Sequence, residues 1–387
     1  MILTEKGILK IITVILVVIS LFTLAQAYYS AYIHIALIVV CFFICRKEQW
    51  ETLSFIVCGI GVCLFFVLMS FFKNNNAFME HVGFYLHYIT WPFLFVCIAK
   101  KCKAKEINHL LYFIIGICII GDILTLIQLN INPDISRLLA GTHLGDEKLQ
   151  YYKMGVGGYG YVFAMSFFMY GIVRWIKKST SKAEKIYLIV FLIINSLLIL
   201  YAAYTTAIII SVALIGLALM ADIKLKYQIP ILSAIIILML VLGNPLLEAC
   251  YDIANNLELN WVAKRFEQLL QAQETNDMSS LRRVELYTIS WNTFKKNPIT
   301  GGSAVGGHSQ ILDLLAQYGI FAVFMPMFLF SCKLLCNKIL GKSKLTMLFL
   351  TFIVFACIDT CSVMQIPVIV FFAVPLILYL DKEGGKI

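Results

Sequence analysis

Charge is what this chain has least of. Across 387 residues only 14% are Asp, Glu, Lys or Arg, against 61% hydrophobic, and the mean hydropathy is +0.87. So few polar groups cannot cover a soluble domain, which leaves an all-α polytopic membrane protein as the fold class. Acids are scarcer than bases, 22 against 31, and the surplus of +9 is distributed as a topology signal, not as a nucleic-acid footprint. A disulfide framework is missing as well: of twelve Cys only Cys250 falls in a long outer loop, and the others lie in or beside apolar stretches or, for Cys102, in a basic loop. No repeat relates the first half to the second. Two nucleotide-like motifs are incomplete: GVGGYG at 155 to 160 fits GxGxxG, and GSAVGGHS at 302 to 309 lacks the Walker lysine, but neither has a strand before it.

What is present is a series of apolar stretches near the ~20 residues needed to cross a bilayer. Twelve are expected, at 8 to 27, 28 to 45, 52 to 72, 82 to 99, 108 to 130, 157 to 176, 185 to 202, 204 to 221, 228 to 246, 309 to 332, 345 to 363 and 366 to 380. The first resembles a secretory signal ending at Ala25-Gln26-Ala27 but is read as an uncleaved span. With both termini cytoplasmic, the inner segments carry 21 of the 31 basic residues and the outer ones 10, as the positive-inside rule requires. The whole chain, 1 to 387, then forms one integral membrane domain, with two long extracytoplasmic segments at 131 to 156 and 247 to 308, the larger one between spans nine and ten. An outer loop of that length, off the chain's centre, argues against a transporter of two similar halves.

The larger loop has helical periodicity. Val262, Phe266, Leu269 and Leu270 form one stripe, and Leu281, Val284, Thr288, Trp291 and Phe294 another, capped at Ser279 or Ser280 and stopped by Asn297-Pro298. Two amphipathic helices are therefore expected over the outer mouth of the bundle or on lipid headgroups. Between 247 and 307 six cations face seven acids, so any anion site is local: Arg282 and Arg283 on the second helix, Lys264 and Arg265 on the first. His308 stands where the loop becomes span ten. At a helix start an imidazole stays neutral and able to take a proton, and Gly306 and Gly307 leave room beside it for a phosphate at the helix amides. Asp122, Asp313 and Asp359 lie in the outer halves of spans five, ten and eleven, where each acid costs about 2.5 to 3.5 kcal/mol at a helix centre. Their shared depth suggests a polar cavity, although Asp313, one turn after Ser309, also suits the start of its helix. Tyr151, Tyr152, Tyr159, Tyr161 and Trp261 are candidates to anchor the interface.

RRVELYTISWNTFKKNPITGG from Arg282 and GGHSQILDLLAQYGIFAVF from Gly306 resemble the arginine, tryptophan, Asn-Pro-Gly and histidine signature of the O-antigen polymerase and ligase superfamily. KMGVGGYGYVF resembles the corresponding stretch of Wzy-type repeat-unit polymerases. The resemblance implies a bacterial cytoplasmic-membrane glycosyltransferase, without cofactor or metal, that polymerises undecaprenyl-diphosphate-linked oligosaccharide on the outer face for O-antigen, capsule or exopolysaccharide. A flippase and a chain-length regulator are the partners it implies. Under it Arg282 or Arg283 holds diphosphate and the family histidine corresponds to His308, the base; beside these stand Asp313 and Asp359 as reserve bases, Arg265 and Lys264 as further cations for the substrate, and Tyr151, Tyr152, Tyr159, Tyr161 and Trp261 as surfaces for sugar faces. The sequence departs from ligases in having His308-Ser309 for His-Asn, and Thr205 or Thr206 where they carry an arginine at the start of a span. Ligase-type transfer to a final acceptor, or a lipid-linked-sugar flippase, are the alternatives.

Overall fold

The computed structural model describes residues 4–26, 30–73, 78–139, 145–223, 227, 245, 248–274, 283–341 and 345–383. Helix accounts for 85% of these and none of them lies in a strand, so the chain is an all-α protein. Apart from the short helices Thr23–Gln26, Ile135–Leu138, Gly145–Lys153 and Gln365–Val368, the principal helices are α1 (Glu5–Leu21), α2 (Ala31–Ile44), α3 (Arg46–Phe72), α4 (Phe78–Lys101), α5 (Ala104–Ile131), α6 (Tyr159–Lys178), α7 (Lys182–Ala202), α8 (Thr205–Met220), α9 (Asn260–Glu274), α10 (Arg283–Lys296), α11 (Gln310–Tyr318), α12 (Phe324–Leu340), α13 (Thr346–Ile358) and α14 (Val374–Glu383). Among the described residues six stretches are long and apolar enough to cross a membrane: Thr52–Phe72, Met79–Lys101, Ala104–Ile131, Lys182–Ala202, Gln310–Leu340 and Gln365–Lys382. The stretch 228 to 246, expected to be the ninth span, lies outside the described residues but for Pro245.

Lipid-facing and core-facing residues follow from composition. On α7 the side chains of Ile186, Val190, Ile193 and Leu197 stay exposed, while Leu188, Phe191 and Leu198 pack inward. Apolar surface of that extent is stable only in a bilayer. α6 is the opposite case: from Gly160 to Trp175 every residue is buried, and α7, α8 and α14 pack around it. Aromatic contacts tie it to α13, with Phe163 and Phe355 centroids 4.7 Å apart and Phe167 and Phe352 5.9 Å apart.

Regular helix gives way at the 3₁₀ turn Gly319–Val323 between α11 and α12, and twice more beyond it. The stretch expected as span eleven, 345 to 363, is helical only to Ile358; from Asp359 the backbone is extended, and the next helix begins at Gln365. Non-helical backbone at membrane depth survives where protein satisfies it. Here Tyr159 donates its hydroxyl to the Thr360 carbonyl at 2.9 Å, and Tyr88 donates to that of Cys361 at 2.9 Å. Beyond it, Ile369–Ala373 forms one wider π turn before α14.

The ionic side chains collect at opposite ends. Lys6 and Lys10 pair with Glu106, Lys101 pairs with Glu5, and Asn108 shares a pocket with Arg174, Lys178 and Asp381. Both the first and the last described helices therefore terminate at this basic end. The glycine-rich loop before α11 lies at the other, about 22 Å away if measured along the 15 residues from Tyr159 to Arg174 on α6.

Candidate functional site

The loop end is organised around Asp359, the first residue after α13, which is only 2% exposed. Its Oδ1 accepts from the Thr360 amide at 3.0 Å and lies 3.8 Å from His308 Nδ1. Its Oδ2, which has no hydrogen-bond partner, lies 3.6 Å from Arg283 Nη2. Three expected site residues thus meet although they are separated by 25 and 51 positions in the sequence. Both distances exceed hydrogen-bond length, so the carboxylate faces the guanidinium and the imidazole while bonding neither.

Each partner is placed from a different element. Arg283 opens α10, and its Nη1 donates to Thr206 Oγ1 at 2.9 Å, in the first turn of α8. The side of α10 that carries Arg283, Tyr287 and Ser290 turns inward: Ser290 is fully buried and Tyr287 donates its hydroxyl to the Ile358 carbonyl. Burial pushes the Tyr287 phenol above its usual range, so it remains a donor. Val284, Thr288 and Trp291, three members of the expected apolar stripe, face outward instead, while Phe294 is partly buried with its ring 5.4 Å from that of Trp291. The reason is solvent: beside a bilayer an apolar stripe gains nothing from facing the protein, and a polar face needs partners. Leu281 and the proposed caps Ser279 and Ser280 lie outside the described residues, as does Arg282.

His308 is held by the loop. Asp313 accepts from the Gly307 amide at 3.2 Å, the Ser309 amide at 3.1 Å and the Ser290 hydroxyl at 2.5 Å, and Ser290 in turn accepts from the Gly306 amide at 2.8 Å. Asp313 therefore serves the helix start, the second of the two roles its spacing allows. Ser309 caps α11 by accepting from Leu312 at 3.2 Å, and its hydroxyl donates to the Cys357 carbonyl at 2.7 Å. Gly306 passes so close to α10 that a Cβ would stand 2.1 Å from the Leu286 carbonyl oxygen, and Gly307 has φ +77°. The amides of Gly306, Gly307, Ser309, Gln310 and Leu312 all have acceptors within the protein. The glycines thus fold the loop against α10 and do not present an amide nest, which leaves anion binding to side chains.

A second clamp holds the loop from α3. Lys73 donates to the carbonyls of Thr300 and Gln317 and lies over the Tyr318 ring, 5.6 Å from its centroid. The Tyr318 hydroxyl meets His81 Nε2 and Ser70 Oγ, each at 2.6 Å. Burial lowers the Lys73 ammonium pKa.

The remaining expected residues sit elsewhere or at the rim. Tyr159 adjoins the centre, with its hydroxyl on Thr360 and its ring 5.8 Å from that of Tyr204. Asp122 is fully buried on α5, where its Oδ1 accepts from Tyr161 at 2.8 Å. Lys264 is exposed on α9, whose Val262 and Ala263 pack on Ala203 and Ala254. The side chains of Arg265 and Trp261 lie outside the described ones. Thr206 and Tyr287 join the site without being among the residues expected there from the sequence. Nothing local marks Tyr287, and Thr206 enters through its bond to Arg283. The sequence matches no family model and no curated protein.

Proposed function

We propose that this chain is a membrane glycosyltransferase that extends a glycan carried on undecaprenyl diphosphate, working at the loop end of the bundle on the outer face of a bacterial cytoplasmic membrane. The observation that carries this reading is the single carboxylate, Asp359, facing both Arg283 and His308. Twelve spans with both termini inside complete the reading. Its orientation rests on the gathering of Lys6, Lys10, Lys101, Arg174, Lys177 and Lys178 at the opposite end.

The chemistry follows from charge development. Breaking the bond from the anomeric carbon to the diphosphate oxygen leaves negative charge on the diphosphate, and Arg283, held by Thr206 and only loosely paired with Asp359, is placed to meet it. Such a contact strengthens in the transition state. As the acceptor hydroxyl forms the new glycosidic bond its proton passes to His308, whose side chain is about one third exposed, and is released afterwards to solvent or the departing diphosphate. Asp359 orients the imidazole and stabilises its charged form, and Asp313 positions it through the loop. Polymerase action is preferred to ligase action because Thr205 or Thr206 stands where ligases carry a second cation, and Thr206 is occupied by Arg283.

The test is replacement of the chromosomal copy by His308→Ala or Arg283→Ala with membrane levels checked. Long lipid-linked chains are expected to vanish while single repeat units accumulate outside. Normal chain lengths in both variants refute the reading. Polymer stranded on undecaprenyl diphosphate identifies a ligase, and units trapped on the inner leaflet identify a flippase.

A further inference from the structure

Among the described residues only two non-glycine positions have positive φ, Ala203 at 51° and Glu258 at 56°. An L side chain in the left-handed region is strained and persists where its surroundings impose it, commonly at binding sites. These two belong to different turns that meet. Ala203 ends α7 and is buried with Ala254 and Val262, while Glu258 follows the helical turn whose Ala254 carbonyl accepts from Leu259 at 2.8 Å. Where the turns meet lies a pocket of about 380 Å³, bounded by Asn130, Tyr201, Glu258 and Asn260 over a floor that includes Leu129 and Val262. That volume falls in the range of small-molecule sites, roughly 300 to 1,000 Å³.

Its lining selects a chemical class. One aromatic face, two side-chain amides and a carboxylate surround an apolar floor, and among the described residues that line it there is no Lys or Arg. A phosphate or anionic lipid headgroup meets the Glu258 carboxylate and is repelled by it. A neutral sugar fits. Its C–H face rests on the negative face of the Tyr201 ring, its hydroxyls donate to the carboxylate, and the amides of Asn130 and Asn260 both donate and accept. The pocket lies beside the Asp359 centre, because Tyr201 is five residues before Thr206, the residue that holds Arg283, and that chain spans at most about 18 Å.

We infer that this pocket is a carbohydrate subsite that grips the oligosaccharide of a lipid-linked substrate while its reacting end lies at Arg283 and His308. The inference rests on the glycosyltransferase reading, and it assigns Tyr201 and Glu258 to substrate retention and not to bond making. The strain at Glu258 provides a control, since Glu258→Gly relaxes the turn and removes the carboxylate together.

The probe is the free oligosaccharide released by mild acid from the lipid-linked units that accumulate in His308→Ala cells, with binding to the purified full chain in nanodiscs measured by calorimetry. His308→Ala protein is expected to bind it as wild type does, and Tyr201→Ala and Glu258→Gln at least tenfold more weakly. Glu258→Gly is expected to melt higher than wild type and still bind at least tenfold more weakly. In cells, Tyr201→Ala and Glu258→Gln should make chains severalfold shorter than normal but longer than one unit. Unchanged affinity and chain length in both, with His308→Ala inactive, overturns the subsite and leaves the enzyme reading standing. Normal chains in His308→Ala remove both.

Discussion

At the basic end a guanidinium is closed in by carboxylates, whereas at the loop end a carboxylate is left open between a guanidinium and an imidazole. Arg174, 6% exposed, donates to Asp222 at 2.6 Å and to Asp381 at 2.8 Å, which ties α6 to the end of α8 and to α14. Lys177 adds a contact to Asp222 at 2.9 Å. Asp359, as deeply buried, meets Arg283 and His308 only at 3.6 and 3.8 Å. The lesson is one of geometry and not of residue type. A buried ion pair at bonding distance satisfies itself and fastens helices; one held about 1 Å further apart stays available to a third charged group.

Breaking the open cluster should have the largest effect. His308→Ala is expected to lower the rate of chain extension roughly 10²- to 10⁴-fold, the usual worth of a general base, with little change in thermal stability. Arg283→Ala should cost about 10²- to 10³-fold, in line with removal of one donor to developing charge. Both are read by chain growth per molecule of folded protein, and a loss matched by unfolding would place these residues with the structural ones.

Breaking the closed cluster should give the reverse pattern. Arg174→Met takes the guanidinium away from Asp381 and is expected to destabilise by about 2 to 4 kcal/mol, less than for a fully buried triad because the Asp222 side chain is 45% exposed. Turnover per folded molecule should stay near wild type. A thermal melt in detergent alongside chain extension decides this, and wild-type stability would show the network to be idle.

Ser290→Ala sharpens the contrast because it touches the open site only through its support. It removes a donor to Asp313 and the acceptor of the Gly306 amide, so a loss of about 1 to 3 kcal/mol is expected, with a several-fold slower reaction as His308 loosens. A melting curve paired with the rate separates the two effects. The smallest effect is on pH. Burial raises the pKa of Asp222, but hydrogen bonds from Lys177 and Arg174 outweigh it and hold the carboxyl at about 2 against 3.8. A depressed carboxylate stabilises the fold above pH ~4 and ceases to as pH falls toward 2. Melting temperature should therefore fall over that interval, and fall less in Asp222→Asn.

This contrast is legible in the sequence on one side only. His308, Arg283 and Asp359 stand out because a charge in a greasy chain is conspicuous, and helix positions follow from apolar runs. Arg174 reads as one more topology signal, since its partners lie 48 and 207 residues away and no local pattern announces such pairing. The end of α13 at Ile358 escapes notice because the letters after it are small and uncharged apart from Asp359, and only tertiary donors such as Tyr159 and Tyr88 make an extended backbone tolerable there. The rotation of α10 differs from expectation for another reason: its stripe reads as if water surrounded it. Tyr201 and Glu258 carry no signal at all, because backbone strain is not written in residue names.

The wide turn at Ile369–Ala373 sets the phase of everything after it. One residue removed from it would restore ordinary winding and swing α14 by about 100°, carrying Asp381 off Arg174 while Asp359 stays where it is. The fastening at one extremity and the looseness at the other are thus kept in step by a single surplus peptide unit.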